Sequence, residues 1–432
     1  MTAASGEHKK AFDTDVLIAG GGLAGATLAL ALGRALPHLR VTVAEAYPLS
    51  AEAPPEHYQP SYDARSTALA WGSRLIYQDL GLWPRLAEHA TPIRHIHVSD
   101  RGRFGATRLA AGDHGQEALG YVVDNRWLGL SLMAALRNQP GLSWQAPAQV
   151  TDVAPQVSGV AVSLREGDAS RTMTAQCLVV ADGGRSGLRE RLGFTVAHSD
   201  YDQHALIANV STANPHEFVA YERFTDAGPM ALLPSGGPGR AANTASLVWT
   251  LAKAQLDELL ACNDEQRCAR LQHRFGWRLG RFTRVGACHH YPLVLDTVTE
   301  AVRPGVVLVG NAAHTLHPVA GQGFNLALRG LMALVEQFRL ADMNQQTLGD
   351  MGVLQAYQAV HRADWQRTAR FSDSLIRIFG SNAPVMAAGR DMGLMGLDML
   401  PAAKRMFARQ AMGLGGRKAA MLTPGGPPEH GS

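Results

Sequence analysis

The sequence has few of the residues that mark metal sites, disulfide scaffolds or nucleic-acid binding. Only four of its 432 residues are cysteines, and Cys262 and Cys268, six positions apart, do not have the spacing of a zinc pair. Buried or free thiols in a reducing compartment are the simpler interpretation. The formal net charge of +3 gives no case for a nucleic-acid partner. The N-terminus, Met1 to Asp13, lacks an apolar signal core, so we expect a cytoplasmic protein.

Charged side chains are also absent from Gly305 to Leu328, which raises the question of a membrane span. Helix breakers and polar side chains within the stretch argue against one: Gly310, Asn311, His314, His317, Pro318, Gly321, Gln322 and Gly323. A buried strand from Val306 to Val309, a glycine-relieved turn and a helix that starts near Phe324 fit the pattern better. Such a turn points backbone N–H groups at an anion or an electron-rich ring.

A glycine-rich turn follows the first predicted strand, Asp15 to Ala19. It has the spacing GxGxxG, and a helix and a second strand lead from it to Glu45, 20 positions after the last glycine. In this context Gly20 makes the tight turn, Gly22 lets the backbone approach a pyrophosphate, and Gly25 lets the helix pack close to the strand. The helix N-terminus faces the phosphates, and Glu45 can accept hydrogen bonds from a ribose. The pattern predicts an adenine dinucleotide site.

Two arginines and an aspartate occupy positions that suit the same ligand. Arg65 lies in the segment SYDARSTALA, where a pyrophosphate would be its anionic partner, although a surface ion pair explains it equally well. Arg126 opens a predicted helix, again a place suited to a phosphate. Asp182 ends an apolar strand and precedes Gly183. Taken alone this is an Asp-Gly turn before a capped helix, and only the other dinucleotide signals favour a site.

The order of the predicted elements indicates an α/β protein with a Rossmann-like dinucleotide domain, an inserted antiparallel-sheet substrate domain and a C-terminal helical region. Within the substrate domain, Gln255 to Arg278 is predicted to be helical, and the extreme C-terminus is predicted to be a disordered tail. The expected boundaries are 1–75, 120–190 and 285–345 for the dinucleotide domain, 76–119 and 191–284 for the substrate domain, and 346–432 for the helical region.

Three motifs in chain order resemble one family. They are AGGGLAG at Ala19 to Gly25, ADGGRSGLRE at Ala181 to Glu190, and VGNAAHTLHPVAGQGFNLALRG at Val309 to Gly330. Together they are similar to the single-component, FAD-dependent aromatic hydroxylases, and more narrowly to the hydroxylases of ubiquinone biosynthesis. Further segments resemble that subgroup, so the likeness runs from about Asp15 to Gly413: Ser61 to Ala70, Tyr221 to Pro234, and Phe371 to Gly380.

The resemblance implies a role for each motif. The pyrophosphate of FAD would lie at the glycines of the first motif, with Arg65 and Arg126 as its partners, and the adenosine ribose at Glu45. Asp182 would support the binding of both FAD and NAD(P)H. Asn311 stands where most relatives have an aspartate that bonds the ribityl chain, and it keeps the hydrogen-bonding capacity without the charge. The isoalloxazine ring would lie beside Pro318, Gly321, Gln322 and Gly323, with Asn325 close by.

Two residues depart from the family signature, which has glycine and aspartate where this chain has Ala327 and Gly330. Both are predicted on the helix rather than at its N-terminus, so FAD binding is expected to survive. The departures leave open what the local substrate or partner surface is.

The activity that the resemblance implies is hydroxylation of a 2-polyprenyl-6-methoxyphenol, para to its hydroxyl group, with NAD(P)H as the reductant and O2 as the oxygen source. Because FAD carries the chemistry, neither a nucleophile triad nor a metal site is needed. We assign no catalytic base, since packing or loop hydrogen bonding is the simpler role for His314 and His317.

A polyprenyl phenol is a membrane substrate, which directs attention to the C-terminal region. Seven of the 14 methionines lie between Met386 and Met421, among basic residues. This composition suits a lipid surface or a partner groove as well as it suits ordinary core packing. We expect peripheral contact with the inner membrane, or with a ubiquinone-biosynthesis complex, through this region.

Three other functions stay open at this point. One is hydroxylation at a different ring position of a ubiquinone precursor, and the departures at Ala327 and Gly330 keep it in view. Another is a prenyl reductase or dehydrogenase of the same fold that uses FAD without O2. The last is a non-catalytic flavoprotein scaffold within the quinone-synthesis complex.

Overall fold

The computed structural model of the chain describes residues 12–48, 65–101, 106–183, 187–237, 242–315, 321–380 and 401–415, with the backbone alone for 375–380 and 401–403. The strands are β1 (Thr14–Ala19), β2 (Val41–Ala44), β3 (Ser66–Ala70), β4 (Thr91–Ile93), β5 (His95–Asp100), β6 (Ala106–Ala110), β7 (Gly120–Asp124), β8 (Leu142–Gln145), β9 (Gln149–Pro155), β10 (Val160–Glu166), β11 (Ala169–Val180), β12 (Val196–Thr212), β13 (Val219–Thr225), β14 (Gly228–Ser235), β15 (Thr244–Ala252), β16 (Phe282–Val285), β17 (His289–Val298), β18 (Val302–Arg303) and β19 (Val306–Leu308). The helices are α1 (Leu23–Ala35), α2 (Trp71–Asp79), α3 (Trp83–Ala87), α4 (Asn125–Leu136), α5 (Leu188–Arg191), α6 (Lys253–Leu260), α7 (Asp264–Phe275), α8 (Gln322–Met343), α9 (Met351–Gly380) and α10 (Pro401–Ala411).

The first sheet is built on five parallel strands in the order β19, β11, β1, β2 and β8. All six residues of β1 are buried, as expected for a parallel strand that is covered on both faces. Val16 and Ile18 enter a core shared with α1, α4 and α8. Leu17 enters a second core on the other face, formed with the antiparallel strands β9 and β10. The central strand therefore holds the two halves of this domain together.

The second sheet has the order β16, β12, β15, β14, β13, β5 and β6, with β17 beside β12. Its pairings are antiparallel except for that between β13 and β5. One face packs on α6 and α7 through residues such as Trp249, Leu256 and Phe275. A small third sheet, β3–β7–β4, contacts α8 on one side and β14 on the other. The arrangement leaves the opposite face of the second sheet directed toward the first domain.

The predicted fold class is confirmed, with two differences in detail. The stretch Gln255 to Arg278, predicted to be helical, is interrupted between Leu260 and Asp264, because Asn263 caps a new helix that ends at Phe275. Its side chain accepts from Gln266 N and the Gln266 side chain accepts from Asn263 N, which is a capping box. The second difference is β17, which pairs with β12 in the second sheet although the expected boundary at residue 285 assigns it to the first domain. The domain boundaries otherwise stay a prediction.

The expectations about the cysteines and about a membrane span can be compared with the described residues. All four cysteines are free thiols, and Cys177 and Cys262 are buried. Within the described ranges, none of the helices combines the length and the apolar character that crossing a membrane requires.

Candidate active site

The glycine motif forms a tight turn between β1 and α1 at the carboxyl edge of the parallel sheet. Gly20 has φ +103°, a conformation that favours glycine, and a Cβ there would lie 2.8 Å from Asp182 Cα. A Cβ on Gly25 would lie 1.9 Å from Gly20 O, so the first turn of α1 packs directly on the loop. A Cβ on Gly22 would meet nothing within 4 Å. The turn is thus closed on the protein side and open at Gly22, as a bound pyrophosphate requires.

Glu45 and Asp182 lie on either side of this turn. The Glu45 carboxylate accepts from Gly21 N at 2.6 Å and from Tyr47 N at 2.9 Å, so it holds the glycine loop in place. A carboxylate has about four acceptor positions, which leaves capacity for ribose hydroxyl groups. Asp182 follows β11, which pairs with β1, and this pairing brings the second motif against Gly20.

The structure also brings Arg65 and Arg126 together. Strands β3 and β7 pair antiparallel, and Asn125 N donates to Arg65 O at 2.9 Å. The Asp124 side chain caps α4 by accepting from Arg126 N at 2.7 Å. Both arginine side chains are exposed. Two cations at one helix N-terminus suit a phosphate group, and their binding to it stays a prediction.

The third motif joins the first one at the same edge. After β19 the chain makes a short 3-10 turn, Gly310–Ala312, and a Cβ on Gly310 would lie 3.6 Å from Ala24 Cβ at the start of α1. Asn311 is exposed on this turn. Gly321, at φ +59°, is the N-cap of α8, and a Cβ on it would lie 3.4 Å from Ala68 Cβ, whereas a Cβ on Gly323 would meet nothing within 4 Å. Pro318 lies outside the described residues.

An apolar pocket extends from Gly321 toward the second sheet. It holds about 970 Å³ of space, a figure that includes the part open to solvent. One wall is Ala68 to Ala70 with Gly321 and Gln322. The other walls come from the second sheet and from the C-terminal helices: Ile96, Val98, Ala220, Phe224, Leu233 and Val248, with Phe371, Phe407 and Ala411. The third motif therefore borders a pocket for an apolar ligand.

Comparison with known proteins shows what kind of enzyme carries this arrangement. A family model described as FAD binding domain matches residues 13–372. Ubiquinone hydroxylase UbiL of Rhodospirillum rubrum is 35% identical over 399 residues, 92% of this chain and 89% of that protein. The 3-demethoxyubiquinol 3-hydroxylase of Escherichia coli is 31% identical over 405 residues, 93% of this chain and 99% of that protein. The chain belongs to the FAD-dependent monooxygenases of the ubiquinone-biosynthesis family.

A solved structure supports the fold of this monooxygenase. The p-nitrophenol 4-monooxygenase PnpA of Pseudomonas putida DLL-E4 superposes with a TM-score of 0.73 at 17% identity, covering 94% of this chain and 98% of that one. The predictions of the fold, of FAD as the cofactor and of monooxygenase activity are confirmed. The described residues fit FAD: the turn at Gly20 and Gly25 is closed by backbone contacts, Gly22 faces open space, and Glu45 accepts from the neighbouring Gly21 N. Asn311 is exposed on the turn that packs beside the start of α1.

Asn325 lines the apolar pocket beside Gly321 and Gln322, and its place close to the flavin ring stays a prediction. Its side chain is 1% exposed, and Oδ1 accepts from Ala70 N and Ser73 Oγ, both at 2.7 Å. Nδ2 donates to Ala68 O at 2.9 Å and to Gly321 O at 2.8 Å. All four hydrogen-bonding positions of the amide are therefore used within the protein. Asn325 ties β3 and the start of α2 to α8, so we interpret it as a positioning residue for the pocket wall.

Sequence reasoning missed Glu222, which lines the apolar pocket. On β13, alternate residues face the same side, and Ala220, Glu222 and Phe224 all line the pocket. An acidic residue at an apolar-face position of an alternating strand is the signal that could have revealed it.

The departure at Gly330 is explained by packing rather than by a substrate surface. A Cβ on Gly330 would lie 2.7 Å from His361 Cε1. The His361 ring is stacked on Tyr357 at 5.6 Å and lies 5.1 Å from the His314 ring. Burial lowers the pKa of His314 to about 3 and that of His361 to about 4, so both are neutral and belong to the core. The aspartate of the family signature does not fit beside this cluster.

Gly330→Ala is expected to destabilise the protein by about 1–3 kcal/mol, because the new methyl group would lie 2.7 Å from the buried His361 ring, which would have to leave its present packing. Gly352→Ala on α9 is the control, since a Cβ there meets nothing within 4 Å and alanine should stabilise the helix by up to about 1 kcal/mol. Urea unfolding of the two variants measures the difference. Equal stability of the variants would contradict the packing explanation.

Proposed function

We propose that the protein hydroxylates 2-polyprenyl-6-methoxyphenol para to its hydroxyl group, with NAD(P)H and O2 as co-substrates. The observation that carries the proposal is the apolar pocket, which is bordered by Gly321 and Gln322 of the flavin motif and by the second sheet. A ring that lies in this pocket is next to the residues expected to hold the isoalloxazine. The names of the two curated relatives, both hydroxylases of ubiquinone chemistry, support the substrate class.

When bound, FAD takes two electrons from NAD(P)H and, with O2, supplies an electrophilic oxygen atom for the aromatic ring. The protein's residues bind and orient the two partners. The pocket wall at Ala68 to Ala70, fixed by Asn325, aligns the phenol ring with the flavin motif. The apolar side chains around it exclude water, which protects the reactive oxygen from decay.

The ring position is tested by the quinone intermediates of a deletion strain, followed by assay of the purified protein. Accumulation of 2-polyprenyl-6-methoxyphenol, with uptake of labelled oxygen from O2 into the product, is the expected result. A second candidate, hydroxylation at another ring position, is favoured by the 31% identity to the 3-demethoxyubiquinol 3-hydroxylase. Accumulation of a demethoxyubiquinol, or of another ubiquinone precursor that lacks a ring hydroxyl group, would support that candidate, and an unchanged quinone profile would refute both.

Two further alternatives have separate outcomes. A reductase or dehydrogenase would transform its substrate with no labelled oxygen in the product. A scaffold would still support ubiquinone formation when the Gly22→Ala variant no longer holds FAD.

Contact with the membrane through the C-terminal region is also part of the proposal. Met386, Met392, Met395, Met399 and Met421 lie outside the described residues. On α10, Met406 is 73% exposed, whereas Phe407 and Ala411 line the pocket. Removing the whole region would therefore also remove a pocket wall, and loss of activity in a truncated protein would not report on membrane binding.

Met406→Glu is expected to reduce co-flotation with vesicles of anionic phospholipid several-fold, because the exposed side chain would lose its apolar contact with lipid. Turnover of a short-chain, water-soluble phenol should stay unchanged, since Met406 does not line the pocket. Met343→Glu at the end of α8, where the side chain is 69% exposed, is the matched control and should float like the wild type. Undiminished flotation of Met406→Glu would argue against docking through α10.

A further inference from the structure

Glu222 stands in the middle of the apolar floor of the pocket. Its cross-strand neighbours are Val98 on β5 and Ala231 on β14, and both also line the pocket. The side chain is half-buried, with its open side toward the cleft. Burial of a charge is costly, so an apolar residue would pack better at this position than a carboxyl group does.

The groups around Glu222 are uncharged in the part of the chain that the structure describes. The opposite wall presents the neutral residues Gln322 and Asn325, and α9 and α10 present apolar side chains. Tyr221 borders the pocket, but its ring packs against Phe275 in the core on the other face of the sheet. His97 lies between the pocket residues Ile96 and Val98 on β5 and so points to that other face as well. Burial alone raises the pKa of the Glu222 carboxyl to about 7.

We propose that Glu222 is the catalytic acid–base residue of the hydroxylation, the group that accepts the proton of the phenol hydroxyl. This inference rests on the proposed function, because it requires a phenol in the pocket. The phenol O–H bond breaks, its electron pair stays on the oxygen, and the proton moves to a carboxylate oxygen of Glu222. The resulting phenolate is a stronger carbon nucleophile than the phenol.

The remaining protons and electrons balance without another residue. The para carbon forms its bond to one oxygen atom of O2 as the O–O bond breaks. The other oxygen atom takes up protons and leaves as water, and the two electrons that this requires come from NAD(P)H. Loss of the proton on that carbon to water restores the aromatic ring, and Glu222 returns its proton to the phenolate oxygen. The difference between the phenol pKa, about 10, and a carboxyl pKa near 7 is roughly half of the difference between the phenol pKa and that of an ordinary glutamate.

The test compares Glu222→Gln with the wild type on 2-methoxy-6-(3,3-dimethylallyl)phenol, a soluble short-chain probe. In the wild type, kcat/KM should fall as the pH drops through about 7, because protonated Glu222 cannot accept a proton. In E222Q, kcat/KM at pH 7.5 should fall about 100- to 1,000-fold and should rise with pH toward the phenol's own pKa of about 10. A fluorinated probe with a more acidic hydroxyl group should reduce the deficit of E222Q.

Structural effects are separated from proton transfer by three controls. FAD affinity and the thermal midpoint of E222Q should match the wild type, since the exchange keeps the side-chain shape. If E222Q loses FAD, Glu222→Asp is the decisive variant. It retains a carboxyl group, so its kcat/KM should still fall as the pH drops (the acidic limb of the profile), at a lower kcat. Glu258→Gln, in an exposed ion pair with Arg270, should leave the pH profile unchanged.

Two results would overturn different claims. If the wild type incorporates labelled oxygen but E222Q has the wild-type profile, or E222D lacks the acidic limb, Glu222 is not the proton acceptor. If the wild type incorporates no oxygen into the probe or the natural phenol, the proposed function itself fails.

Discussion

Gly25→Ala should remove FAD binding and destabilise the apoprotein by more than about 3 kcal/mol, whereas Gly22→Ala should remove FAD binding alone. The new Cβ at position 25 would lie 1.9 Å from Gly20 O, a contact that only a shift of α1 could relieve. At position 22 the Cβ meets nothing within 4 Å of the protein, and exchange of a glycine N-cap for alanine costs less than about 1 kcal/mol. That Cβ would instead occupy the space predicted for the pyrophosphate.

The pair is measured by urea unfolding of the apoproteins and by titration with FAD, followed by the quenching of flavin fluorescence. We expect the FAD dissociation constant of Gly22→Ala to rise by ~100-fold or more, which corresponds to about 2.7 kcal/mol. Gly352→Ala serves again as the control for the exchange of a glycine in open space. Wild-type FAD affinity in Gly22→Ala would mean that the pyrophosphate does not approach this loop.

The contrast between these two glycines shows what the sequence can and cannot predict. The local pattern of strand, GxGxxG and helix was enough to predict the turn and the separate purpose of each glycine, because those elements are adjacent in the chain. The contact between Gly20 and Asp182 depends on β1 pairing with β11, and the proximity of Gly310 to Ala24 depends on β19 joining the same sheet. Periodicity carries no information about which distant strands become neighbours.

Glu222 and Asn325 illustrate two other limits. Tyr221 to Pro234 was recognised as a family-like segment. That Glu222 lies in a pocket could not be predicted from it, because α8, α9 and α10 close the pocket over this face of the sheet. Asn325 was predicted near the ring because its neighbours in the motif were, and that place stays a prediction. Its actual partners are Ala68, Ala70 and Ser73, more than 250 positions earlier, which no local rule connects to it.

Asn325→Asp should therefore have one of the largest effects of any single exchange on the pocket wall, a destabilisation of about 3–5 kcal/mol at neutral pH. The exchange replaces Nδ2, which donates to Ala68 O and Gly321 O, with an oxygen that would face both carbonyls in a site that is 1% exposed. One carboxylate oxygen would keep its donors Ala70 N and Ser73 Oγ, but burial and the two carbonyl groups that face the other oxygen raise the pKa of the aspartate in the folded state. The part of the penalty that comes from the charge is consequently absent below the pKa of the unfolded chain, near 4, and grows as the pH rises through that value.

Urea unfolding of the variant and the wild type at several pH values checks this prediction. The difference between their free energies of unfolding cancels the contribution of the buried histidines, which both proteins share. Asn263→Asp is the matched control: its side chain only accepts from Gln266 N at the start of α7, a bond that aspartate makes equally well, so its stability should change by less than about 0.5 kcal/mol. In Asn325→Asp we also expect weaker FAD binding, because Gly321 and the Ala68–Ala70 wall would lose their common anchor. A penalty that is small, or that does not grow with pH, would show that Asn325 does not hold the wall in the way its four hydrogen bonds indicate.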